Sequence, residues 1–440
     1  MSNIAWEFIN KEITLNLFFS EMDFICSHLR KSEKEAVSVA VSGGSDSMAL
    51  LLLINHWCIR KNTALTCITV DHNLRSESAY EALFIKNFCE NIGIKHTTLK
   101  WIRPTEKISI GKIENMARDA RYNLINEFCN QHSIKIVATG HTWNDQLETY
   151  EMRKAANSSE FGLAGMSKIR SISKNVKIIR PLMVFTKKHL RDFLNSEKVS
   201  WKDDPMNENE NFKRVSIRKN LSELNQNILL AKSSEIKLLG KKRREIEENA
   251  VRFFQNNINP NDIKFGFITF DTQKFLAEND LIKPEILKRA IWNIGGKKYT
   301  SNIDDNILKQ IFTFKKLNTI GKCFLKINKK YISIFRENRN LDEILIAQKN
   351  KHYIFDNRFS LFIKCDKFQN ELTKFMVLSV KRLGKLCSNS ELPHEAIYSL
   401  PCVCVNESPV FVYGSDEIFS ENITVKCEFI NKVGLFDIFL

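Results

Sequence analysis

The chain has 440 residues, room for roughly two to four domains and a core that needs no disulfide staples. Its 43% hydrophobic, 27% charged and 10% aromatic residues exclude a largely disordered or fibrous chain. Lys and Arg outnumber Asp and Glu by 66 to 51, and the resulting charge of +15 favours a polyanionic partner, either nucleic acid or an anionic membrane surface.

The first residues, MSNIAWEFINKEITL, carry acids early and no basic-then-apolar order, so neither a signal nor a transit peptide is expected. The longest apolar run, Met48–Ile54, falls far short of the ~20 residues of a spanning helix, so no membrane partner is expected. The 11 cysteines are odd in number, scattered through apolar segments, and form no Cys-x-x-Cys. Reduced thiols in a cytoplasmic protein are the expectation, with no zinc or iron–sulfur site.

Ala36–Val41 is a short β-branched run that ends at Ser42-Gly43-Gly44, and the helical stretch Met48–Cys58 follows. Leu65–Val70 is a second strand, closed by Asp71-His72; Ser78–Asn91 has helical spacing; His96–Trp101 is a third strand. Glu114–His132 reads as helix, Ile134–Thr139 as a fourth strand ending at Gly140-His141, and Asn144–Lys154 as another helix. Strands that are apolar throughout and alternate with helices predict an α/β fold with a doubly wound, mainly parallel sheet. Leu221–Asn256 is helical and densely charged, and Thr272–Ala277, Pro284–Ile294 and Ile303–Phe314 are further helices. Cys323–Arg336 alternates like a hairpin, and the pattern beyond about Lys351 stays strand-like. This predicts a catalytic domain over 1–218, a helical domain over 219–345 and a small α+β domain over 346–440, the latter two binding the polyanion.

The segment that carries chemistry is Ser42-Gly43-Gly44-Ser45-Asp46-Ser47, leaving a buried strand and entering a helix. Its glycines let the backbone turn tightly, and N–H groups at a helix start form an anion site. Ser42, Ser45 and Ser47 add hydroxyl groups. A serine-capped Gly-Gly turn could be purely structural, but the full string after a buried strand favours a phosphate cradle. No Lys is present, so this is not the Gly-x-x-x-x-Gly-Lys-Ser/Thr loop. Asp46 would repel phosphate unless a cation intervened, which points to Mg²⁺ between them.

Ser42–Ser47 resembles the pyrophosphate loop of the N-type ATP pyrophosphatases, which split ATP between its α- and β-phosphates. Asp71-His72-Asn73-Leu74-Arg75, Glu114–Tyr122, Gly140–Thr149, Arg180-Pro181-Leu182 and Asp204-Pro205-Met206-Asn207 with Phe212–Arg218 narrow the choice. In order and spacing they resemble the tRNA(Ile)-lysidine synthetase family over about 38–218, with a weaker match at Leu392–Gly414. The resemblance implies an adenine nucleotide alpha hydrolase-like fold and an AMP-forming ligase that uses ATP, Mg²⁺ and free L-lysine on tRNA(Ile) with a CAU anticodon. It permits a homodimer.

Asp145 and Glu148 lie three apart on one helix face and suit a metal ion or a base, although capping a helix start would suit them equally in isolation. Arg118 and Arg121 share a face and suit a triphosphate or the charge that develops in adenylyl transfer. Taken with the resemblance, the expected catalytic residues are Asp46, Arg118, Arg121, Asp145 and Glu148. ATP is assigned to Ser42, Gly43, Gly44, Ser45, Asp46, Ser47, Asp71, His72, Gly140 and His141, and Mg²⁺ to Asp46. RNA phosphates are assigned to Arg214, Arg218, Lys241, Lys242, Arg243 and Arg244. Surface salt bridges for the first two and a solvated helix face for the last four remain open.

One segment departs from the family. Members carry Arg-Gly-x-Gly where this chain has Ala156-Asn157-Ser158-Ser159-Glu160-Phe161, ahead of Gly162-Leu163-Ala164-Gly165-Met166. Such a loop commonly closes over a ligand, and its glycines supply the freedom to do so. Three rivals stay open: a related tRNA thiolase, against which the missing Cys-x-x-Cys counts; a small-molecule amidating enzyme; and an RNA-binding protein that has lost catalysis.

Overall fold

A computed structural model of the protein describes residues 10–29, 35–72, 78–102, 110–173, 175–202, 213–296, 303, 305–313, 319–348, 350–365, 375–383, 392–405, 408–414 and 423–430. The strings Asn73–Arg75 and Asp204–Phe212 lie outside these residues, as do the side chains of Glu114 and Asn115. The chain divides into two compact units, residues 1–244 and 245–438.

The first unit opens with α1 (Lys11–His28), then β1 (Val37–Ala40), α2 (Ser45–Arg60), β2 (Leu65–Asp71), α3 (Ser78–Asn91), β3 (Lys95–Lys100), α4 (Ile110–Gln131) and β4 (Ile136–Thr139). It continues through α5 (Trp143–Ala155), α6 (Glu160–Leu163), β5 (Ile169–Ser171), β6 (Lys177–Ile179), α7 (Lys187–Ser196), α8 (Lys213–Ser222) and the first part of α9 (Gln226–Asn257). The six strands form one sheet in the order β3-β2-β1-β4-β6-β5. Every pairing is parallel except that of β5 with β6. The expected mainly parallel sheet is therefore present, with one antiparallel edge.

Helices cover both faces. On one face Phe18, Met22 and Ile25 of α1, Leu50, Leu51 and Leu53 of α2, and Leu190, Phe193 and Leu194 of α7 pack on Val37 and Val39. On the other, Ile125, Phe128 and Cys129 of α4 pack on Ile68 and Val137. Chain order reverses at β1, which has β2 on one side and β4 on the other. Such a switch point, at the carboxyl ends of the strands, is where open α/β sheets hold ligands.

The second unit contains the rest of α9, then α10 (Pro260–Lys264), β7 (Phe267–Asp271), α11 (Thr272–Ala277), α12 (Lys283–Gly295), α13 (Asp305–Phe312), β8 (Cys323–Ile327) and β9 (Tyr331–Arg336). Then follow β10 (Ile344–Ala347), β11 (Lys351–Phe355), β12 (Phe359–Cys365), β13 (Phe375–Ser379), α14 (His394–Ile397), β14 (Pro401–Val405), β15 (Ser408–Val412) and β16 (Ile423–Phe429). β8 and β9 form the expected hairpin, and β7, which hydrophobic periodicity alone does not reveal, adds a third strand against β9. Their apolar faces close on α9, α11 and α12. Two further antiparallel sheets, β10-β13-β14-β15 and β11-β12-β16, enclose a second core. Arg336, Asp356 and Arg358 are fully buried there, with both arginine Nε atoms 2.8 Å from Asp356 Oδ2.

No described helix is long and apolar enough to cross a membrane.

Candidate active site

The Ser42–Ser47 loop leaves β1 at the switch point and runs directly into α2. Gly43 has φ +89°, a left-handed conformation that favours glycine. Gly44 is the N-cap of α2 and supplies no capping side chain, so the first N–H groups of the helix face outward unbonded by a cap. The serines brace the turn: Ser42 N–H donates to Ser47 Oγ at 3.2 Å, and Ser47 Oγ donates to Gly44 O at 3.0 Å. Lys202 N–H holds Gly43 O at 2.9 Å.

Gly140, just past β4, presses against this loop. A Cβ built on it would lie 3.2 Å from Ser47 N and 3.3 Å from Asp46 O, backbone atoms that cannot swing away. Gly140→Ala is therefore expected to displace the loop and raise the KM for ATP roughly tenfold, with a small effect on thermal stability. ATP titrations and melting curves will check this; an unchanged KM would mean that the loop yields freely.

Beyond Gly140, Thr142 caps α5 through a box with Asp145. Asp145 Oδ2 accepts from Thr142 N–H and Oγ, both at 2.8 Å. Both helix-capping and site geometry thus fall on Asp145. Its free oxygen, Oδ1, accepts from Arg214 Nη2 at 2.9 Å. Glu148, one turn on and 1% exposed, accepts from Arg214 Nε at 2.6 Å and Arg218 Nε at 2.8 Å. The structure thus joins two sets that the sequence kept apart: the carboxylates of α5 and the arginines of α8. Arg214 and Arg218, for which the sequence left RNA phosphate contact and a surface salt bridge open, are paired here with buried carboxylates of α5.

Lys187 was not anticipated. It is the first residue of α7, which Thr186 and His189 cap, and its N–H donates to Asn144 Oδ1 at 2.9 Å. Its Nζ lies 3.9 Å from Asp46 Oδ2 and 4.0 Å from Glu148 Oε1. A lysine is thus beside the loop after all, supplied by a distant segment. Position alone could have raised it, because it follows Arg180-Pro181-Leu182 by five residues and begins a helix.

These neighbours set the charge states. Burial pushes Asp46 up to about 6; Lys187 opposes the shift and Asp145 adds to it. Burial alone would raise Asp145, but Lys187, the Thr142 hydrogen bonds and Arg214 outweigh it and hold the carboxyl below its ordinary value. Hydrogen bonding to Glu148 raises Arg218.

On the other flank, His141 donates or accepts through Nδ1 with Thr139 Oγ1 at 3.0 Å. Burial and then Arg180 depress it to about 3, so the ring is neutral. His72, after β2, is also depressed, to about 4, by burial and then Arg121. Arg121 Nε donates to His72 Nε2 at 3.2 Å, which places the imidazole proton on Nδ1. Arg118 and Arg170 lie over the Tyr122 ring, 5.4 and 5.9 Å from its centroid. Asp71 is buried at the end of β2.

The basic run on α9 divides. Lys242 reaches Glu160 at 3.4 Å, and Arg243 donates to Gly165 O at 2.9 Å. Arg153 of α5 donates to the same carbonyl at 2.9 Å and also to Gly162 O. Gln146 brackets Met166, accepting from its N–H and donating to its carbonyl, both at 2.7 Å. The segment that departs from the family thus runs into the short helix α6 at Glu160, which pairs with Lys242, and the stretch just after it is tied down by side chains from α5 and α9. Lys241 is exposed.

Among the described residues, no group of three or more His, Cys, Asp or Glu side chains could hold a metal ion. Asp46 offers an oxygen donor whose raised pKa reflects incomplete compensation by Lys187, and a divalent cation shared with phosphate oxygens would relieve it.

A PP-loop domain model matches residues 18–225. The chain is 31% identical over 319 residues to a tRNA(Ile)-lysidine synthase from Orientia tsutsugamushi (strain Boryong), covering 69% of this chain and 70% of that one. It is 28% identical over 397 residues to a tRNA(Ile)-lysidine synthase from Rickettsia akari (strain Hartford), covering 86% and 88%. Over 188 residues it is 39% identical to that of Ruegeria pomeroyi, covering 43% and 44%. Among solved structures it is similar to the U34-tRNA thiolase NcsA from Methanococcus maripaludis, with a TM-score of 0.43, 16% identity, and coverage of 54% of this chain and 80% of that one.

Proposed function

The chain belongs to the tRNA(Ile)-lysidine synthase family of ATP-dependent ligases, and from that premise we propose how its residues perform the reaction. The substrate is tRNA(Ile) with a CAU anticodon. The C2 carbonyl oxygen of its wobble cytidine attacks the α-phosphate of ATP, and pyrophosphate leaves. The ε-amine of free L-lysine then attacks C2, gives up a proton, and AMP leaves as lysidine forms.

The observation that carries this reading is the convergence on one point of an uncapped phosphate loop, three carboxylates and a lysine. Ser42, Gly43, Gly44, Ser45 and Ser47 hold the pyrophosphate portion of ATP. Asp46 would hold Mg²⁺, which when bound screens the phosphate charge. Lys187 supplies the ammonium that the loop itself lacks. Asp71, His72, Gly140 and His141 wall the nucleotide, and Arg118 and Arg121 face the phosphates during adenylyl transfer.

Asp145 and Glu148 orient the incoming amine and take its proton. Their present partners, Arg214 and Arg218, lie on α8 with more than a third of each side chain exposed, so an RNA phosphate can compete for them. Lys241, Lys242, Arg243 and Arg244 extend the basic surface. The domain division near 218 and 345 is part of the same proposal.

The test is AMP release from ATP with lysine present, using tRNA(Ile) bearing CAU and the same tRNA bearing GAU. Release is expected only with lysine and CAU together. Tight binding of both RNAs without AMP would move the assignment to an RNA-binding protein, with Ala156–Phe161 as the first suspect.

A further inference from the structure

Two separate sets of contacts hold α5, the helix that carries Asp145 and Glu148. The first set joins those carboxylates to Arg214 and Arg218 of α8. The second joins α5 to the strap Gly162–Met166. Gln146, next to Asp145 and buried, accepts from Met166 N–H and donates to Met166 O, each at 2.7 Å. Gly165 has φ +69°, and a Cβ built on it would lie 2.5 Å from Gln146 Oε1. The strap therefore meets Gln146 in this way only with glycine at the position.

Two guanidinium groups fasten the strap. Arg153, near the end of α5, donates to Gly162 O and, at 2.9 Å, to Gly165 O. Arg243 of α9 donates to the same Gly165 O at 2.9 Å. Burial and then Arg243 lower the pKa of Arg153, so the two cations meet at one carbonyl against their mutual repulsion. Arg243 also completes one face of α9. Lys232, Ile236, Leu239 and Arg243 recur at spacings of four, three and four, the period of a single helix face. Lys232 pairs with Glu151 of α5 at 2.6 Å, and Ile236 and Leu239 cluster with Leu147 and Tyr150 of α5 and Ala164 of the strap.

We propose that Arg243 is a positioning residue for the amine step: through Gly165 O and the Gln146–Met166 bracket it keeps α5 placed so that Asp145 and Glu148 meet the incoming amine. The inference rests on the ligase reading above. In that reading RNA phosphates compete for Arg214 and Arg218, which weakens the first set of contacts while the amine must still be aligned. The strap and α9 then keep the helix in place. The phosphate loop is braced elsewhere, by Lys202 N–H and by Gly140, so adenylyl transfer does not depend on the strap.

The experiment separates the two chemical steps in single turnovers with tRNA(Ile) bearing CAU. Pyrophosphate release is measured without lysine, and AMP release after lysine is added. The variants are Arg243→Gln, Arg243→Lys and Gly165→Ala, with melting curves for each. Gly165→Ala reaches the Gln146 bracket without altering any charge, so a fold defect in one variant leaves the other informative. Arg243→Gln and Gly165→Ala should each slow AMP release about 20-fold at saturating lysine, a loss in kcat. Pyrophosphate release should stay within about twofold, and KM for tRNA should rise less than about threefold. Arg243→Lys, which can still donate to the carbonyl, should return to within about threefold of the wild type. Equal slowing of both steps, unchanged AMP release, a loss confined to KM for tRNA, or no rescue by lysine would overturn the positioning role. Neither product from the wild type would instead remove the ligase reading, and this inference with it.

Discussion

Asp46→Asn is expected to lower AMP release about a thousand-fold while making the protein more stable at neutral pH. The carboxyl group titrates near 6 in the folded chain against an ordinary 3.8, chiefly because it is buried. The folded state therefore holds this proton more tightly than the unfolded state. As pH rises from about 4 to about 6 the unfolded chain releases the proton first, and stability falls. Asparagine has no proton to lose and escapes that cost. At about pH 7.5 the variant should gain about 1–2 kcal/mol, and near pH 3.5 the gap should close because both side chains are neutral. Lys187 loses a partner at 3.9 Å, which subtracts little from a partly exposed pair. Thermal melts at the two pH values decide the stability half, and AMP assays decide the other. Retained turnover would remove Asp46 from the chemistry.

Glu148→Gln is the second large effect. Two arginine Nε atoms donate to this carboxylate at 2.6 and 2.8 Å. The carboxylate is buried but both arginines are partly exposed, so the loss lies below that of a fully buried pair, at about 2 kcal/mol. Turnover should fall about a hundredfold or more if the carboxylate orients or deprotonates the amine. A double-mutant cycle with Arg214→Gln separates the two effects. Stability should couple between the sites by about 1 kcal/mol or more, and the catalytic defect should persist in the double variant. A stability loss with unaltered turnover would make Glu148 a structural residue only.

What the sequence shows clearly is whatever is local. The strand–helix alternation through Thr139, the loop at Ser42–Ser47 and the helical spacing of Asp145 and Glu148 all lie within short windows, and each appears where expected. What it conceals depends on closure over distance. Arg214 meets Glu148 across 66 positions, and Arg218 across 70. Lys187 looks like any basic residue at a helix start until Asn144 anchors its backbone beside the loop. β5 and β6 are three residues each, too short for periodicity to register, yet they place Arg170 and Arg180 around Tyr122. The segment Ala156–Phe161, read from sequence as a loop stripped of its glycines, is followed by carbonyls anchored by Arg153 and Arg243, partners on two different helices.

Asp145 is tied to its own helix start through one oxygen and to Arg214 through the other. Substitution tolerance at this position should therefore be governed by shape as much as by charge. Glutamate keeps the negative charge but adds a methylene, which moves the carboxylate out of reach of the Thr142 N–H. Asparagine keeps the shape and can still accept from Thr142, but it loses the charge that attracts Arg214. Neither conservative change preserves both relationships. A residue in this situation has almost no neutral neighbours in sequence space, so selection for a well-formed helix end also protects the orientation of the oxygen that faces the site.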